Sequence, residues 1–385
     1  MSTRRLLAVC ASAVVFVFAC VAVAAAVSTE PSPPPAKSLA AAIHDAATAP
    51  PEQGVTARIE WTNKLVDANG FEGISPLIAG GKGRLWWSDD DSFRLELQGG
   101  SGDAQLVVRG REVWAYDAAS NRAWRGTLPP EKKGEARKEH GVPTVARIQR
   151  KLDKALRHVA IAGPTPGVEA DQGAYSVRVS PRRNGGLLGG VGLAWDAARG
   201  TPLRFGVYAR GSDAPVAELK ATDVDYGPID AGAFAIQPPP GAKTTDVSPR
   251  ARHSRDRRAR LGDLTFDPAV PATLAGKRRD GVHAVGTGDH AGVAISYGEG
   301  LDGVVVLERP YDPREKRADG SGGGSGSRHR GGGQVKLPTT DVNGTQATVL
   351  ETPLGSVVQW TRRGVTYVVA ASAPRSVVES AARGL

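Results

Sequence analysis

The stretch from residue 80 to residue 128 constrains the fold of this chain most strongly, because apolar and polar residues alternate there in short runs. In residues 92–98, Phe93, Leu95 and Leu97 alternate with polar side chains, which is the period-2 pattern of a strand with one dry and one wet face. Turn signals end the runs at Asp89-Asp90-Asp91, Gly99-Gly100, Gly110 and residues 118–121. The pattern predicts an antiparallel meander whose dry face needs an apolar cover.

Elements on both sides of this meander extend the predicted unit. Residues 38–47 have helical spacing behind Ser38 as N-cap, and residues 53–66 alternate as a long first strand. Residues 142–156 predict an amphipathic helix, and we expect its apolar stripe to lie on the dry side of the meander. Further strands are predicted at residues 174–180, 188–196, 202–210 and 216–226.

Residues 263–385 predict a second, smaller unit. Strands are expected near residues 282–285, 292–297, 303–308, 347–351, 356–362 and 365–371. Asn343-Gly344 and Arg363-Gly364 have the composition of hairpin turns, and residues 374–382 predict a closing helix that begins at Pro374 and ends at Gly384.

The domain organisation follows from shifts in composition. Residues 1–27 are a signal peptide or an N-terminal membrane anchor, and residues 28–37 are a proline-rich spacer. The larger unit covers residues 38–241, an arginine-rich linker covers 242–262, and the smaller unit at 263–385 contains a glycine-rich insertion at 319–333. Strands and helices together predict an α+β fold: one curved antiparallel sheet with helices on one side, and a smaller second domain.

The N-terminus indicates the compartment. Arg4 and Arg5 precede an uncharged apolar run at residues 6–27 that ends in small residues, as in a cleavable secretory signal. The run is also long enough to remain as an anchor, since about 20 apolar residues span a bilayer. In either case we expect the rest of the chain outside the cytoplasm.

The two cysteines, Cys10 and Cys20, both lie in this run, so the remainder of the chain has neither a disulfide nor a thiol nucleophile. Cys20 is a poor lipid-modification site, because Phe18 stands where a small residue is wanted.

The formal net charge of +9 is concentrated between the two predicted units. Six arginines lie there: Arg250, Arg252, Arg255, Arg257, Arg258 and Arg260. An anionic membrane surface is one partner that such a cluster fits, at about 1 kcal/mol per basic residue. The other interpretation is a solvated linker. We do not expect nucleic acid as a partner outside the cytoplasm.

Sequence signatures of enzymes are missing. The chain has no nucleophile elbow, no His-Glu-x-x-His and no phosphate loop followed by a helix, and its seven histidines are scattered without ligand spacing. Asp89-Asp90-Asp91 lacks the alternating ligand spacing of a calcium loop, so a hairpin turn is the better interpretation. We therefore predict a protein that is not an enzyme and that has neither a cofactor nor a metal site.

The aromatic residues of the first unit have two interpretations. Large aromatic side chains dominate ordinary cores, so a plain core is compatible with the whole set: Trp61, Trp86, Trp87, Phe93, Trp114 and Trp124. The alternative is the wall of a cavity for lipid chains, with the helix at 142–156 as its lid. On that hypothesis the candidate site residues are Trp61, Leu85, Trp87, Phe93, Leu95, Leu97, Leu106, Val108, Trp114, Ile148 and Leu152.

Three segments of the first unit resemble the LolA/LolB lipoprotein-carrier superfamily. These are GKGRLWWSDDDSFRLEL, VVRGREVWAYDAASNRAWRGTL and DVDYGPIDAGAFAIQPPPG, the last of which is similar to the final strand of that family. In the second unit, ISYGEGLDGVVVLE and RRGVTYVVAASAPRSVVESAARGL resemble the C-terminal domain of the RseB/MucB regulators of anti-sigma factors. The order of the two units is that of the RseB-type family, although the arginine-rich linker and the glycine-rich insertion depart from its pattern.

The resemblance implies an unclosed, strongly curved antiparallel half-barrel with a helical lid that holds acyl chains or a lipoprotein. It also implies binding to a membrane anti-sigma factor in envelope-stress signalling. The expected function is therefore that of an extracytoplasmic lipid-binding sensor without enzymatic activity; the alternative is a plain lipid or lipoprotein carrier with no signalling role.

Overall fold

A computed structural model describes residues 31–66, 75–100, 102–128, 143–183, 185–247, 260–286, 288, 291–313 and 337–385. The segment at residues 1–27, the first five arginines of the linker cluster and the glycine-rich insertion lie outside these described residues. Most of the described chain belongs to two sheets. The last strand of the first sheet ends at residue 246, and the first strand of the second sheet begins at residue 273.

The larger sheet has twelve strands and is an open, strongly curled half-barrel. Its order is β12-β6-β5-β4-β3-β2-β1-β11-β10-β9-β8-β7, so β12 and β7 are the two edges. All pairs are antiparallel except β12 with β6. The strands are β1 Gly54–Asn63, β2 Gly81–Ser88, β3 Ser92–Gly99, β4 Gly102–Arg109, β5 Glu112–Asp117, β6 Arg122–Thr127, β7 Val159–Glu169, β8 Gln172–Pro181, β9 Leu188–Asp196, β10 Pro202–Ala209, β11 Pro215–Tyr226 and β12 Lys243–Asp246.

The helices beside this sheet begin where the sequence provides caps. Helix α1 (Leu39–Thr48) follows Ser38, whose hydroxyl accepts the Ala41 amide at 3.2 Å, as predicted. Helix α3 (Val145–Ala155) begins after Thr144, which caps the Arg147 amide. A short helix, α2 (Pro76–Ala79), precedes β2 and begins after Ser75, whose hydroxyl accepts the Leu77 amide.

The smaller sheet has eight strands in the order β13-β14-β15-β16-β20-β19-β18-β17. They are β13 Thr273–Leu274, β14 Lys277–Val285, β15 Gly292–Tyr297, β16 Val304–Pro310, β17 Thr339–Val342, β18 Thr345–Thr352, β19 Gly355–Arg362 and β20 Val365–Ala371. Helix α4 (Arg375–Arg383) packs on β19 and β20, and Gly384 is its C-cap. Asn343-Gly344 and Arg363-Gly364 have positive φ at both positions, as two-residue type I′ turns require.

Three regions differ from the sequence expectations. Residues 243–246, which we placed at the start of the linker, form β12. The family-like closing segment continues after β11 as a 3-10 helix, Ala231–Phe234, and not as a strand. Strand β7 was not predicted; it lies at the edge of the sheet, where its prolines are tolerated.

Candidate functional site

The register of the larger sheet separates an apolar face from a polar face. Leu85 of β2 pairs with Leu95 of β3, and Leu95 pairs with Leu106 of β4. Residues that pair directly across antiparallel strands lie on the same face, so these leucines share one side of the sheet. The predicted alternation of residues 92–98 is therefore observed, and the apolar face extends over β1 to β5.

Most of the predicted strand residues belong to this face. Trp87 pairs with Val55 of β1 and with Phe93, and Phe93 pairs with Val108. Trp61 continues the same side of β1 beyond Ala57 and Ile59. Eight of the predicted residues share the apolar face: Trp61, Leu85, Trp87, Phe93, Leu95, Leu97, Leu106 and Val108.

Trp114 lies on the opposite face, which corrects its place among the candidate residues. It pairs with Val107, whereas Leu106 pairs with Ala115. Trp114 is 8% exposed, and its neighbour Val107 is fully buried. Trp114 is therefore buried on the side of the sheet opposite Leu106. Trp86 and Arg94, which pair with each other, lie on the same side as Trp114.

Two glycines of β2 show that the apolar face is the concave one. Gly83 pairs with Ile59 and Leu97, so a Cβ atom at Gly83 would point to the apolar side. That atom would overlap the carbonyl oxygen of Glu96 and would lie 2.7 Å from its carbonyl carbon. A Cβ at Gly81 would overlap the carbonyl oxygen of Gln98 in the same way. Strand β3 therefore bends over β2 toward the apolar face, and only glycine permits this bend.

The helices cover the other half of the sheet. Helix α1 places Ala42 against Tyr175 of β8 and Trp195 of β9 in one buried cluster. Helix α3 packs on α1, and His44 Nδ1 lies 3.0 Å from the carbonyl oxygen of Pro143, just before α3.

The sequence predicts that the helix at 142–156 lies on the meander; in the structure its most extensive contact is with α1. Ile148 is buried and Leu152 is half-buried on α3, but the principal partner of α3 is α1. Ile148 and Leu152 lie on this helix, and their place in the binding site stays a prediction.

The side chains on the apolar face of β1–β4 differ in how far the described residues bury them. Leu97 is buried, whereas Phe93, Leu95, Leu106 and Val108 are each only half-buried. Short helix α2 lies at one rim, where the indole Nε1 of Trp61 donates to the carbonyl oxygen of Leu77 at 3.0 Å. Leu77 itself is 45% exposed. The apolar face therefore carries half-buried apolar side chains next to the exposed apolar residues of α2.

A buried polar network closes the opposite end of β1. The hydroxyl of Tyr226, which pairs with Val55, donates to Asp196 Oδ2 at 2.7 Å. Burial raises the pKa of Tyr226 strongly, and the Asp196 carboxylate acts in the same direction. The Arg199 guanidinium stacks 4.2 Å above the Tyr226 ring and pairs with Glu52. The phenol of Tyr226 is neutral, and each side chain of the network has a partner. The network therefore links the end of β11 to the end of β9 and has a structural role.

Two cavities lie outside the predicted site. One, of about 320 Å³, is lined by residues of β8, of β9 and of the turn between β10 and β11, among them Arg178 and Arg210. The other, of about 780 Å³, lies on the polar face of β1–β3. Neither is lined by any of the eleven predicted site residues.

The described residues contain no cluster of three or more histidine, cysteine, aspartate or glutamate side chains that could hold a metal ion. Among the helices of the described chain, none has the length and apolar character needed to span a membrane. Asp89-Asp90-Asp91 forms the β2–β3 turn, with Asp91 at φ 62°.

No protein-family model and no curated protein sequence matches the chain. Solved structures that resemble it include the MucA/MucB complex of Pseudomonas aeruginosa, at 14% identity and a TM-score of 0.36, covering 89% of this chain and 94% of that chain. A LolA superfamily protein from Nitrosomonas europaea is 11% identical with a TM-score of 0.19, covering 48% of this chain and 90% of that one.

An uncharacterised conserved protein from Thermus thermophilus is 13% identical with a TM-score of 0.32, covering 51% of this chain and 91% of that chain. Both families named from the sequence resemblance are thus represented among these structures. At such identities and TM-scores, the similarity assigns no function to this chain.

Proposed function

We propose that this protein is a non-enzymatic, extracytoplasmic binding protein that holds an acyl chain on the concave apolar face of its larger sheet. The observation that supports the proposal is the contiguous apolar set Phe93, Leu95, Leu106 and Val108, which the described residues leave only half-buried. Soluble proteins rarely leave a contiguous apolar surface open without a binding role.

The energetics fit a long hydrocarbon chain. Each methylene that leaves water contributes about 0.8 kcal/mol, so one acyl tail would bind tightly without charged contacts. The concave shape imposed by Gly81 and Gly83 surrounds such a chain on more than one side. The exposed side chains of Leu77 and Ile78 at the rim provide an apolar entrance.

We further propose that the protein regulates a membrane partner. The sequence resemblance to the RseB/MucB family implies a membrane anti-sigma factor as partner. A direct link between the sheets supports communication between the two units: the Leu187 amide, before β9, donates to the carbonyl oxygen of Ser372, after β20, at 3.0 Å. Occupancy of the larger sheet would then alter how the smaller unit docks that partner.

The test is native mass spectrometry of the full chain purified from a membrane-containing host, followed by lipid extraction. We expect a bound lipid or fatty acid, and we expect Leu106→Glu to lose it, because the new carboxylate would be buried against an acyl chain. Neighbouring Gln105 points to the opposite face, so Gln105→Glu is the matched control and should retain the lipid.

Circular dichroism would establish that both variants are folded. A folded wild-type protein without lipid, which also takes up no fatty acid or lipopeptide on incubation, would contradict the proposal. The aromatic residues would then be ordinary core, and a protein-docking module would be the remaining interpretation.

A further inference from the structure

The polar face of the larger sheet contains a basic cavity that the proposed function does not use. This trough has a volume of about 780 Å³ and is formed by β1, β2, β3 and one residue of β11. Its lining residues are Arg58, Ile59, Lys82, Gly83, Arg84, Trp86, Arg94, Glu96, Gln98 and Thr222. Four of them are cationic and one is anionic, and Asp223, which pairs with Arg58, adds a second carboxylate, so cations still outnumber carboxylates.

Two arginines face each other across neighbouring strands in the trough. Arg58 of β1 pairs directly with Arg84 of β2, and both are exposed. Like charges in directly opposite positions destabilise a sheet, which an anion between them would relieve. Arg58 forms an exposed ion pair, with its Nε 3.5 Å from Oδ2 of Asp223, its partner in β11. Within the described chain, the Arg84 guanidinium forms no ion pair or side-chain hydrogen bond.

The only carboxylate in the lining is already occupied. Glu96 lies across from Arg84 in the register, but its Oε1 pairs with the guanidinium of Arg94 instead. Arg94 is held firmly: its Nη1 donates to the carbonyl oxygen of Ala233 at 2.7 Å, and its guanidinium stacks 4.6 Å from the centre of the Trp86 ring. In the described structure Glu96 therefore pairs with Arg94 and not with Arg84.

A bulge in β11 lies at the same place. The pairing of β1 with β11 passes from Arg58–Asp223 to Ile59–Ala221, which leaves Thr222 as the extra residue. Thr222 lines the trough and its hydroxyl donates to the Arg58 carbonyl oxygen at 3.4 Å. Bulges of this kind direct side chains away from the regular ladder and occur beside binding sites.

We propose that this trough binds a phosphate group, held between Arg58 and Arg84 with Lys82 beside them. Guanidinium groups bind phosphate oxygens through paired hydrogen bonds, and a phosphomonoester carries about two negative charges, which suits the unpaired guanidinium of Arg84 and the exposed one of Arg58. The volume fits a small molecule or a headgroup. The phosphate could come from a soluble compound or from a lipid headgroup, and both would use the same contacts.

The experiment uses the full chain, with two probes at fixed ionic strength: inorganic phosphate, and phosphatidylcholine vesicles with or without phosphatidic acid. We expect binding of at least one phosphate probe, and Arg58→Gln/Arg84→Gln should weaken it roughly tenfold or more, because two charge-assisted contacts are removed. The control pair, Arg109→Gln/Arg278→Gln, changes the net charge equally at exposed positions outside the trough and should bind as the wild type does.

The two probes distinguish the sources of the phosphate. Arginine-dependent binding of inorganic phosphate indicates a soluble ligand, whereas arginine-dependent binding only to vesicles with phosphatidic acid indicates a headgroup. Absence of binding to both, or equal weakening in the trough and control pairs, would overturn the proposal. The result is independent of acyl-chain binding, since Arg58 and Arg84 lie on the face opposite Leu106.

Discussion

Replacing Gly83 by alanine is expected to destabilise the larger sheet by about 3 kcal/mol or more, because overpacking against rigid backbone exceeds the usual cost of an extra methyl group. The new Cβ would lie 2.7 Å from the carbonyl carbon of Glu96 and 3.0 Å from the Cα of Leu97. All of these are backbone atoms of β3, so no flexible side chain can move aside. Either β3 separates from β2 or the sheet loses its bend.

The control for this substitution is Gly167→Ala in β7. Gly167 is also a strand glycine with a negative φ, but a Cβ there would meet no atom within 4 Å. Its replacement should be neutral or stabilise by up to about 1 kcal/mol, since alanine loses less conformational freedom than glycine on folding. Urea unfolding monitored by circular dichroism would compare the two. Equal transition midpoints would contradict the bend that makes the apolar face concave.

Local patterns in the sequence predicted the elements that depend on local physics. The alternation of residues 92–98, the Ser38 cap and the two type I′ turns each rest on a few neighbouring residues, and all are found in the structure. The α+β class and the open, curled antiparallel sheet are likewise confirmed.

The register of the strands determines which candidate residues share a face, and between β4 and β5 the sequence of the turn indicates that register. Gly110 and Arg111 form a two-residue turn, so Arg109 pairs with Glu112 and, two steps along, Val107 with Trp114. This count excludes Trp114 from the apolar face, because a shift of one residue reverses every side chain. Trp114 thus lies on the face opposite the other strand residues of the candidate set.

Other features depend on contacts between distant segments and had no local signal. Strand β12 joins β6 in parallel although its sequence, KTTD, is polar and exposed. Helix α3 packs on α1. A hydrophobic stripe predicts that a helix is buried on one side, but it does not specify the partner. In the sequence, Arg58 and Arg84 look like ordinary polar residues on the solvent side of two strands. Only the pairing of β1 with β2 shows that the two side chains are neighbours.

The smaller sheet contains a buried acid whose ionisation should make the stability of this unit depend on pH. Glu308 of β16 is fully buried, and burial raises its pKa from 4.5 to about 7. The Ala269 amide, which donates to its Oε2 at 3.0 Å, and the charge of Arg362 oppose this rise, and Asp267 adds to it. Its Oε1 has no hydrogen bond from the described residues, as is also true of the Tyr297 hydroxyl nearby.

The sign of the effect follows from linkage. In the unfolded chain the carboxyl ionises near pH 4.5, whereas in the folded chain it stays neutral up to about pH 7. Between these values the unfolded state gains free energy from ionisation that the folded state does not. The free energy of unfolding should therefore fall as the pH rises through this window and level off above it, by about 3 kcal/mol in total.

Hydrogen exchange measured by mass spectrometry can isolate this change in the full chain. Protection factors for β16 and β20 peptides, corrected for intrinsic exchange, should be a few hundredfold higher at pH 4.5 than at pH 8 if they report unfolding of this unit. In Glu308→Gln the group cannot ionise, so most of this difference should disappear and the variant should be the more stable protein at pH 8. Peptides from β3 and β4 provide the internal reference. An equal pH dependence in the wild type and in Glu308→Gln would show that other groups cause it, and that the buried carboxyl is not the source of the sensitivity.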